Sequence, residues 1–380
     1  MKLINAHNII KGGGVNVLTS LVKYIKSTDD DFVILLPRTH ELVEFINSNY
    51  SNRFIIIWAP HNFLRFFFKF YFRIYLFGVL KKKYNLTKIY SIGNIAIKTS
   101  IPQVLLIQNA YILLNDRLVW GRFSFLNRVY LKLMIYDILS NMKYATIIAV
   151  QTKSMKLGLI KLFNVAPDRI FIYPNNISIS NLKFAEENKL SYSTLSNGLK
   201  LLFLSKYYPH KNFEILSEVC QLLRSKSVNV KIFLTLDPLV KVENRILKKL
   251  LIFDDIIVNI GPVCFDNLPE TISQFHGFFL PSFIESFSTN YLEAMLYRRL
   301  IFTSDRDFAT EICGDYGIYF DPFSAHSIVN SFECFLDNIE IRLNYLNNYA
   351  GSHLQSIYSG GDSDSINANF INFNCESSTY

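Results

Sequence analysis

The sequence is poor in charge, in paired cysteines and in well-known catalytic motifs, and each shortage excludes a class of protein. Charged residues make up 18% of the 380, below the roughly 25% of an average globular protein, while half of the chain is hydrophobic. This balance excludes a largely disordered or fibrous protein. The five cysteines are scattered without a CxxC motif, and the histidines are dispersed, so neither a disulfide framework nor a metal site is expected. No GxxxxGK[ST], GxSxG or HExxH motif occurs.

The N-terminal stretch MKLINAHNII lacks the form of a secretory signal, because Asn5, His7 and Asn8 interrupt its apolar residues and no small-residue cleavage site follows. We therefore expect a cytoplasmic protein. Lys and Arg number 39 against 31 Asp and Glu, a net charge of +8 that suits a phosphate-rich ligand or an anionic membrane. The basic residues are interleaved with apolar helices and no reader motif is present, so nucleic acid is not an expected partner.

The most hydrophobic stretch, residues 62–83, is interrupted by Arg65, Lys69 and Arg73, unlike a transmembrane helix of about 20 mostly apolar residues. The three cations lie four apart and share one helical stripe with aromatic residues around it, and Lys81–Lys83 follow. This pattern is typical of a helix in a bilayer interface, and it predicts peripheral association with the inner face of the cell membrane. The alternative is a core helix with one basic, solvated edge.

Short β-rich runs alternate with helical patterns in two parts of the chain, which predicts two parallel-sheet α/β domains of similar size facing one another. The first domain covers residues 1–177. A polar segment without a strong period, residues 178–198, indicates a linker, and the second domain covers 199–335. Residues 336–358 are predicted to form a helix that packs back toward the first domain, and 359–380 to form a loose tail.

The strongest candidate site lies in the letters FFLPSFIESFSTNYLEAM. A buried strand is predicted to end at Leu280 and a helix to begin near Thr289, with Glu285 in the loop ahead of the helix and Glu293 in about its first turn. The helix N-terminus between them would direct amides and a partial positive charge at an anion. A bound diphosphate would then have a carboxylate on each side to accept hydroxyl hydrogen bonds, as a nucleotide sugar requires. Taken alone, Glu285 would be a loop acid and Glu293 half of a capping box with Asn290.

The letters LLFLSKYYPHKNFEIL form a second candidate. Lys206 follows the first strand of the second domain, and Lys211 lies just before the next helix. Open α/β sheets bind ligands at the carboxyl ends of their strands. Two cations there could neutralise a diphosphate and stabilise it as a leaving group. Ordinary surface lysines are the alternative.

The letters HNIIKGGGVNVL form a third candidate, in which Gly12, Gly13 and Gly14 separate a strand from a helix. Glycines there allow the backbone to approach a ligand closely and to offer its amides to phosphate. The dinucleotide fingerprint GxGxxG is absent. A plain tight turn is the alternative.

Together these segments resemble the GT-B-fold glycosyltransferases of the large retaining group called family 4 or group 1. The letters SKYYPHKN resemble that family's Arg-x-x-Pro-x-Lys-Asn/Gly stretch, with Lys206 in the Arg place and Lys211 in the Lys place. Glu285 and Glu293 form its Glu-x7-Glu motif, and TEICGDYGIYFDP resembles a later segment. The resemblance is close over residues 145–330, and further upstream it rests on the glycine loop and the order of strands.

The resemblance implies two Rossmann-like domains facing a cleft and transfer of a hexose from a nucleotide diphosphate sugar to a saccharide acceptor, with retention of configuration and without a metal or other cofactor. It implies that Lys206 and Lys211 hold the diphosphate, Glu285 contacts the transferred sugar and Glu293 the ribose. The implied catalytic residues are Glu285, Lys206 and Lys211. The implied substrate-binding residues are Gly12, Gly13, Gly14, Asn109, Ser286, Phe287, Ser288 and Glu293.

Two departures from the family pattern bear on this reading. Lys206 replaces an Arg, which keeps the charge and loses the bidentate fork. Asn109, in LLIQNAYILL, stands where many members have a histidine; it can bond a sugar hydroxyl but cannot carry a proton. Gln108 and Asn109 could each contact either donor or acceptor.

The resemblance also implies bacterial surface-polysaccharide assembly of the O-antigen or capsule kind, with a lipid-linked acceptor. Two alternatives stay open. One is a GT-B epimerase or hydrolase acting on the nucleotide sugar itself, and the other is a non-catalytic GT-B scaffold that binds nucleotide or lipid.

Overall fold

The computed structural model describes residues 1–10, 13–62, 64–175, 190, 195, 198–346, 348 and 363–372. The chain divides into two compact units. The N-terminal unit consists of Met1–Asn115, Ser124–Asn176 and Gly360–Tyr380, and the C-terminal unit of Asp116–Phe123 and Ile177–Ser359.

The N-terminal unit contains a seven-stranded parallel sheet. Its strands are β1 (Lys2–Asn5), β2 (Phe32–Pro37), β3 (Phe54–Ala59), β4 (Lys88–Ser91), β5 (Gln103–Ile107), β6 (Ile147–Val150) and β7 (Ile170–Ile172). They follow the order β3-β2-β1-β4-β5-β6-β7, and Leu3 of β1 pairs with Val33 and Ile89. Inner strands such as β2 are apolar throughout because helices cover both faces of a parallel sheet.

Helices connect these strands. They are α1 (Gly13–Lys26), α2 (His40–Ser48), α3 (Arg65–Tyr71), α4 (Phe77–Lys83), α5 (Arg117–Gly121), α6 (Phe125–Met142) and α7 (Lys153–Phe163). A π-helical segment, Phe72–Leu76, joins α3 to α4, so residues 65–83 form one continuous helix. No helix in the described part of the chain is long and apolar enough to cross a membrane.

Lys69 and Arg73 do not form the basic, solvated edge that the alternative of a core helix requires. Lys69 and Arg73 both pair with Asp137 of α6, with Arg73 Nη1 3.0 Å from Asp137 Oδ1. The side chain of Arg65 lies outside the described part. The pairing was not predictable, because the sequence pattern of one helix contains no information about a carboxylate on another.

The C-terminal unit contains a six-stranded parallel sheet. Its strands are β8 (Leu199–Phe203), β9 (Val230–Leu234), β10 (Ile257–Asn259), β11 (Gly277–Leu280), β12 (Leu300–Ser304) and β13 (Gly317–Phe320). The later helices are α8 (Leu216–Lys226), α9 (Lys241–Leu250), α10 (Leu268–Ser273), α11 (Thr289–Leu296), α12 (Asp307–Cys313), α13 (Ala325–Leu336) and α14 (Ser363–Asn372).

The strand order in this sheet is β10-β9-β8-β11-β12-β13. The chain order reverses between the adjacent strands β8 and β11, so the loops that follow these two strands leave the same edge of the sheet side by side. Such a reversal point is where open α/β sheets bind ligands. The prediction of two parallel-sheet α/β domains is confirmed.

The C-terminal residues include a predicted helix and a predicted loose tail. Residues 339–346 are helical, and Leu343 and Leu346 belong to the core of the C-terminal unit. Residues 347 and 349–358 lie outside the described part, so packing of this helix toward the first domain stays a prediction. Within the predicted loose tail 359–380, α14 packs on the N-terminal unit, where its Phe370 is fully buried. Burial of the few apolar side chains in this otherwise polar segment holds α14 against the N-terminal unit. Of the predicted linker 178–198, only residues 190, 195 and 198 are described.

Candidate active site

The loops that follow β8 and β11 bring Lys211 and Glu285 together. Lys211 Nζ lies 2.5 Å from Glu285 Oε1, and the two side chains are only 13% and 12% exposed. The backbone holds this pair in place, because the Phe283 amide donates to the His210 carbonyl at 2.8 Å. Two residues that are 74 positions apart in the sequence therefore form one largely desolvated ion pair.

The surroundings of Glu285 keep it ionised. Burial alone would raise the pKa of its carboxyl, but the Lys211 ammonium, with help from His210 and a hydrogen bond from Ser282, lowers the pKa below its ordinary value. His210 has its pKa lowered to about 4 by burial, so it is neutral at pH 7. Glu285 is thus a hydrogen-bond acceptor with a negative charge at neutral pH.

The turn that carries Lys211 has a rigid base. Asn212 adopts a left-handed conformation with φ 61°, which Asn tolerates better than most residues, and its Nδ2 donates to the Pro322 carbonyl at 2.8 Å. Next to it, Phe213 stacks on Phe203 of β8 with ring centroids 4.1 Å apart. The local sequence therefore sets the direction of the Lys211 side chain.

Helix α11 begins at Thr289, and Ser286, Phe287 and Ser288 connect it to Glu285. Ser288 is the N-cap residue, and no hydrogen bond from its side chain to the helix is formed in the described structure. The first amides of a helix have no acceptor within the helix and carry a partial positive charge. Phe287 and Ser288 are buried, while Ser286 is half-buried. The sequence prediction of a helix N-terminus beside Glu285 is therefore met geometrically.

Glu293 lies one turn further along α11. Its Oε2 is buried and has no hydrogen-bond partner among the described residues, and burial raises the pKa of the carboxyl to about 7. The capping-box alternative is wrong, because Asn290 Nδ2 donates to the Leu204 carbonyl at 2.9 Å and Ser288 occupies the N-cap position. A buried carboxylate without a protein partner is costly, which makes Glu293 a strong candidate for contact with a ligand.

Lys206 is exposed on the loop after β8. The neighbouring backbone is held by Glu243 of α9, a residue that the sequence analysis did not single out. Glu243 is buried, and its two oxygens accept hydrogen bonds from the amides of Tyr207 at 3.1 Å and Asp237 at 2.6 Å. A signal was available, because Glu243 occupies the apolar stripe of α9 that Ile246 also occupies.

In the N-terminal unit, α1 begins at Gly13, while Gly12 lies outside the described residues. A Cβ added at Gly14 would stand 3.1 Å from Ile9 Cγ2 and 3.2 Å from Gln108 Oε1, whereas at Gly13 the nearest atom would be 3.9 Å away. A side chain at Gly14 would therefore be tightly packed against Ile9 and Gln108. One at Gly13 would not be, and contact of the Gly13 backbone with a ligand stays a prediction.

Asn109 already has a structural role. Its Oδ1 accepts a hydrogen bond from the Tyr111 amide at 3.0 Å, which caps a short 3₁₀ turn, and its Nδ2 lies 3.3 Å from Met134 Sδ. Contact between Asn109 and substrate stays a prediction. The adjacent Gln108 is the better candidate, because its Nε2 is buried without a hydrogen-bond partner in the described part of the chain and its side chain lies beside Gly14.

The predicted residues fall into two groups, one in each unit. Lys211, Glu285, Ser286, Phe287 and Ser288 form one cluster, with Glu293 in the helix that follows. Gly13, Gly14 and Asn109 belong to the N-terminal unit. Among the described residues, no three His, Cys, Asp or Glu side chains are grouped as metal ligands would be.

One known family matches part of this chain. Residues 186–351 match the family described as glycosyl transferases group 1. The match contains β8, β11, the ion pair and Glu293. A comparison with curated protein sequences found no match.

Several solved structures resemble the whole chain. Anabaena Alr3699/HepE, crystallised with UDP and glucose, is 15% identical over 98% of both chains, with a TM-score of 0.64. Sucrose-phosphate synthase from Thermosynechococcus elongatus is 13% identical over 98% of this chain and 97% of its own, with a TM-score of 0.69. The lipopolysaccharide outer core galactosyltransferase WaaB is 13% identical over 98% of both chains, with a TM-score of 0.62. At these identities, the likeness establishes the fold, which is GT-B.

Proposed function

We propose that this GT-B chain is a glycosyltransferase that transfers a hexose from a nucleotide diphosphate sugar to a saccharide acceptor, with retention of configuration. The observation that carries this proposal is the buried Lys211–Glu285 pair at the start of α11, followed by the unpartnered carboxylate oxygen of Glu293. A nucleotide sugar consists of a hexose, a diphosphate and a ribose with its base. Glu285 would face the hexose, Lys211 and the helix amides the diphosphate, and Glu293 the ribose.

In the proposed donor complex, Lys211 and the first amides of α11 bind the diphosphate, and Lys206 adds a second positive charge from the same loop as Lys211. This assignment requires no metal ion or other cofactor. Glu285, which is ionised at neutral pH, accepts hydrogen bonds from hydroxyls of the hexose. Glu293 bonds the ribose, which gives its buried Oε2 a partner.

The proposed chemical step breaks the bond between the anomeric carbon and the diphosphate oxygen and forms a bond to the acceptor oxygen on the same face. The acceptor hydroxyl transfers its proton to the departing diphosphate, so charge and atoms balance without a protein base. Lys206 and Lys211 stabilise the charge that develops on the leaving group.

We further propose that the acceptor is lipid-linked and that the reaction takes place at the inner face of the cell membrane, in bacterial surface-polysaccharide assembly of the O-antigen or capsule kind. Support comes from the structural likeness to an enzyme of lipopolysaccharide outer core synthesis and from the aromatic and basic residues of segment 62–83. The retaining mechanism and the assignment to family 4 rest on the motif match.

The test incubates purified protein with UDP-, GDP-, ADP- and dTDP-sugars, with and without a membrane lipid extract, and measures the released nucleotide diphosphate. We expect release with one donor only when extract is present, and at least a 100-fold loss in Glu285→Gln. The control is Glu218→Gln, an exposed glutamate on α8 that should retain full activity.

Other outcomes would identify the alternatives. Release without extract would indicate a hydrolase or epimerase. Donor binding without release from any sugar would indicate a non-catalytic scaffold. Unchanged release by Glu285→Gln would refute the assignment of the site.

A further inference from the structure

The continuous helix over residues 65–83 exposes its aromatic residues and turns two of its cations toward a neighbouring helix. Its exposed large side chains are Phe67, Phe70, Tyr71, Ile74, Tyr75 and Val79, between 39% and 83% exposed. Their spacing of three and four residues places them on one stripe. Phe72, Phe77 and Leu80, on the opposite side, are buried in the core of the N-terminal unit.

Helix α6 carries a second exposed apolar stripe. It consists of Phe125, Leu126, Val129, Tyr130, Leu133 and Tyr136, between 41% and 77% exposed. Asp137, the next residue after Tyr136, accepts the ion pairs from Lys69 and Arg73. The two helices therefore lie side by side at this point. We call the twelve exposed side chains of both stripes the aromatic face.

The aromatic face exposes twelve large apolar side chains to water. Soluble monomers rarely expose a contiguous apolar patch larger than a few hundred square ångströms unless it binds something. The Lys69 and Arg73 pairs with Asp137 fix the two helices against each other. The position of the aromatic face is thus built into the fold of the N-terminal unit.

The charge around this face indicates what covers it. Residues 62–83 and 125–143 contain nine of the 39 Lys and Arg residues of the chain but only one of its 31 Asp and Glu, namely Asp137. The rest of the chain therefore holds 30 of each sign, and these two segments account for the entire net charge of +8. Lys81–Lys83 and Lys132 are exposed.

We infer that the aromatic face docks on an anionic lipid bilayer, with α6 as a second contact helix beside residues 65–83. Aromatic and aliphatic side chains would enter the headgroup region, while the surrounding lysines contact lipid phosphates. A second copy of the chain fits less well, because a two-fold interface would place the same cations opposite one another. The inference rests on the proposed function only in that a lipid-linked acceptor lies in such a bilayer.

The experiment measures binding of the purified full chain to vesicles of phosphatidylcholine, with and without 30 mol% phosphatidylglycerol, in the absence of any sugar nucleotide. One variant, Ile74→Ser/Tyr75→Ser, alters residues 65–83, and the other, Leu126→Ser/Leu133→Ser, alters α6. The matched control is Leu239→Ser/Ile341→Ser, two exposed apolar residues of the C-terminal unit. A thermal melt of each variant checks folding, which these exposed substitutions should leave intact.

We expect each double variant to weaken binding by about 100-fold, roughly tenfold for each large apolar side chain removed from the lipid, and the control to bind like wild type. Lys81→Gln/Lys82→Gln/Lys83→Gln should weaken binding to anionic vesicles by about 100-fold and leave binding to neutral vesicles unchanged.

Three results would overturn the inference. They are no binding by wild type, full binding by the Leu126→Ser/Leu133→Ser variant, and a wild-type dimer in light scattering that Ile74→Ser/Tyr75→Ser dissociates without any vesicle binding. Glu285→Gln should bind vesicles normally. Loss of sugar transfer and loss of docking are therefore distinguishable, and either proposal can fail without the other.

Discussion

Substitution of Lys211 by Met would leave Glu285 buried without its cation. Both side chains are nearly inaccessible to water, and removal of one partner from a buried pair costs about 3–5 kcal/mol, because the remaining charge is uncompensated. We take the lower end, about 3 kcal/mol, since a small part of each side chain still reaches water. For a unit of this size, that loss corresponds to a decrease in Tm of about 6–12 °C.

The loss of stability in Lys211→Met should depend on pH, and its direction follows from the pKa of Glu285. In wild type, the pKa of Glu285 is below its ordinary value of 4.5, so the stabilisation by the pair is complete above pH 4.5 and is lost as the pH falls through the folded-state pKa. In Lys211→Met, burial acts without the cation and raises that pKa above 4.5, so the variant becomes less stable as the pH rises. The difference in free energy of unfolding should be largest at neutral pH and should shrink as the pH falls.

The assay is urea unfolding at pH 4 to 8 for wild type, Lys211→Met, the double variant Lys211→Met/Glu285→Gln, and a control. The control is Lys226→Met, which breaks the exposed pair with Glu333 in the same unit and should cost less than about 1 kcal/mol. The double variant should recover most of the stability without recovering transfer. If Lys211→Met matches Lys226→Met at pH 7, or if its deficit is the same at every pH, the reasoning about the buried pair is refuted.

Three further predictions, which use four substitutions, follow from the site. Glu293→Gln should raise the free energy of unfolding by about 3 kcal/mol at pH 8 and leave it unchanged below pH 4.5. The buried carboxyl has a pKa of about 7 in the folded protein and about 4.5 in the unfolded chain, so wild type loses stability as the pH rises between these values. Gly14→Ala should destabilise by about 1–3 kcal/mol in a thermal melt through overpacking, while Gly13→Ala should not. Glu243→Gln should raise the KM for the donor more than it lowers kcat, because it loosens the backbone beside Lys206.

For each of these three predictions, one experimental result would contradict it. A pH-independent gain in Glu293→Gln would mean that the carboxyl is not held neutral by burial. Equal melts of the two glycine variants would show that Ile9 and Gln108 move aside at little cost. An unchanged KM in Glu243→Gln would show that the Lys206 loop does not depend on this anchor.

The fold was predictable because it depends on local signals. Apolar runs such as FVILLP and GFFL are buried on both faces, and they alternate with amphipathic helices, which is sufficient to identify parallel α/β domains. Helix α6 gave no such signal, since its apolar residues lie all around it. The exposed apolar stripe of α6 was recognised only once the structure placed this helix next to residues 65–83.

The site was predictable where it depends on strand ends. Lys211 and Glu285 each follow a buried strand, and the sheet order makes those two strands neighbours. Their ion pair was not predictable, because a sequence pattern does not show which side chains meet across loops. The same limit applies to Asn109, whose oxygen caps a turn, and to Glu243, whose partners are backbone amides from two separate loops.

The anchorage of α14 has a consequence for biosynthesis. Tyr90 Oη donates to the Ile371 carbonyl at 2.5 Å, and Tyr173 Oη donates to Asn367 Oδ1 at 2.6 Å, so the last described helix completes a unit that the first residues began. A ribosome that adds about 5–20 residues per second would need roughly 10–40 s to proceed from the end of β7 to α14. During that interval, the nascent N-terminal unit lacks the cover over Tyr90 and Tyr173, while the C-terminal sheet can already assemble. The half that is made first is therefore expected to finish folding last.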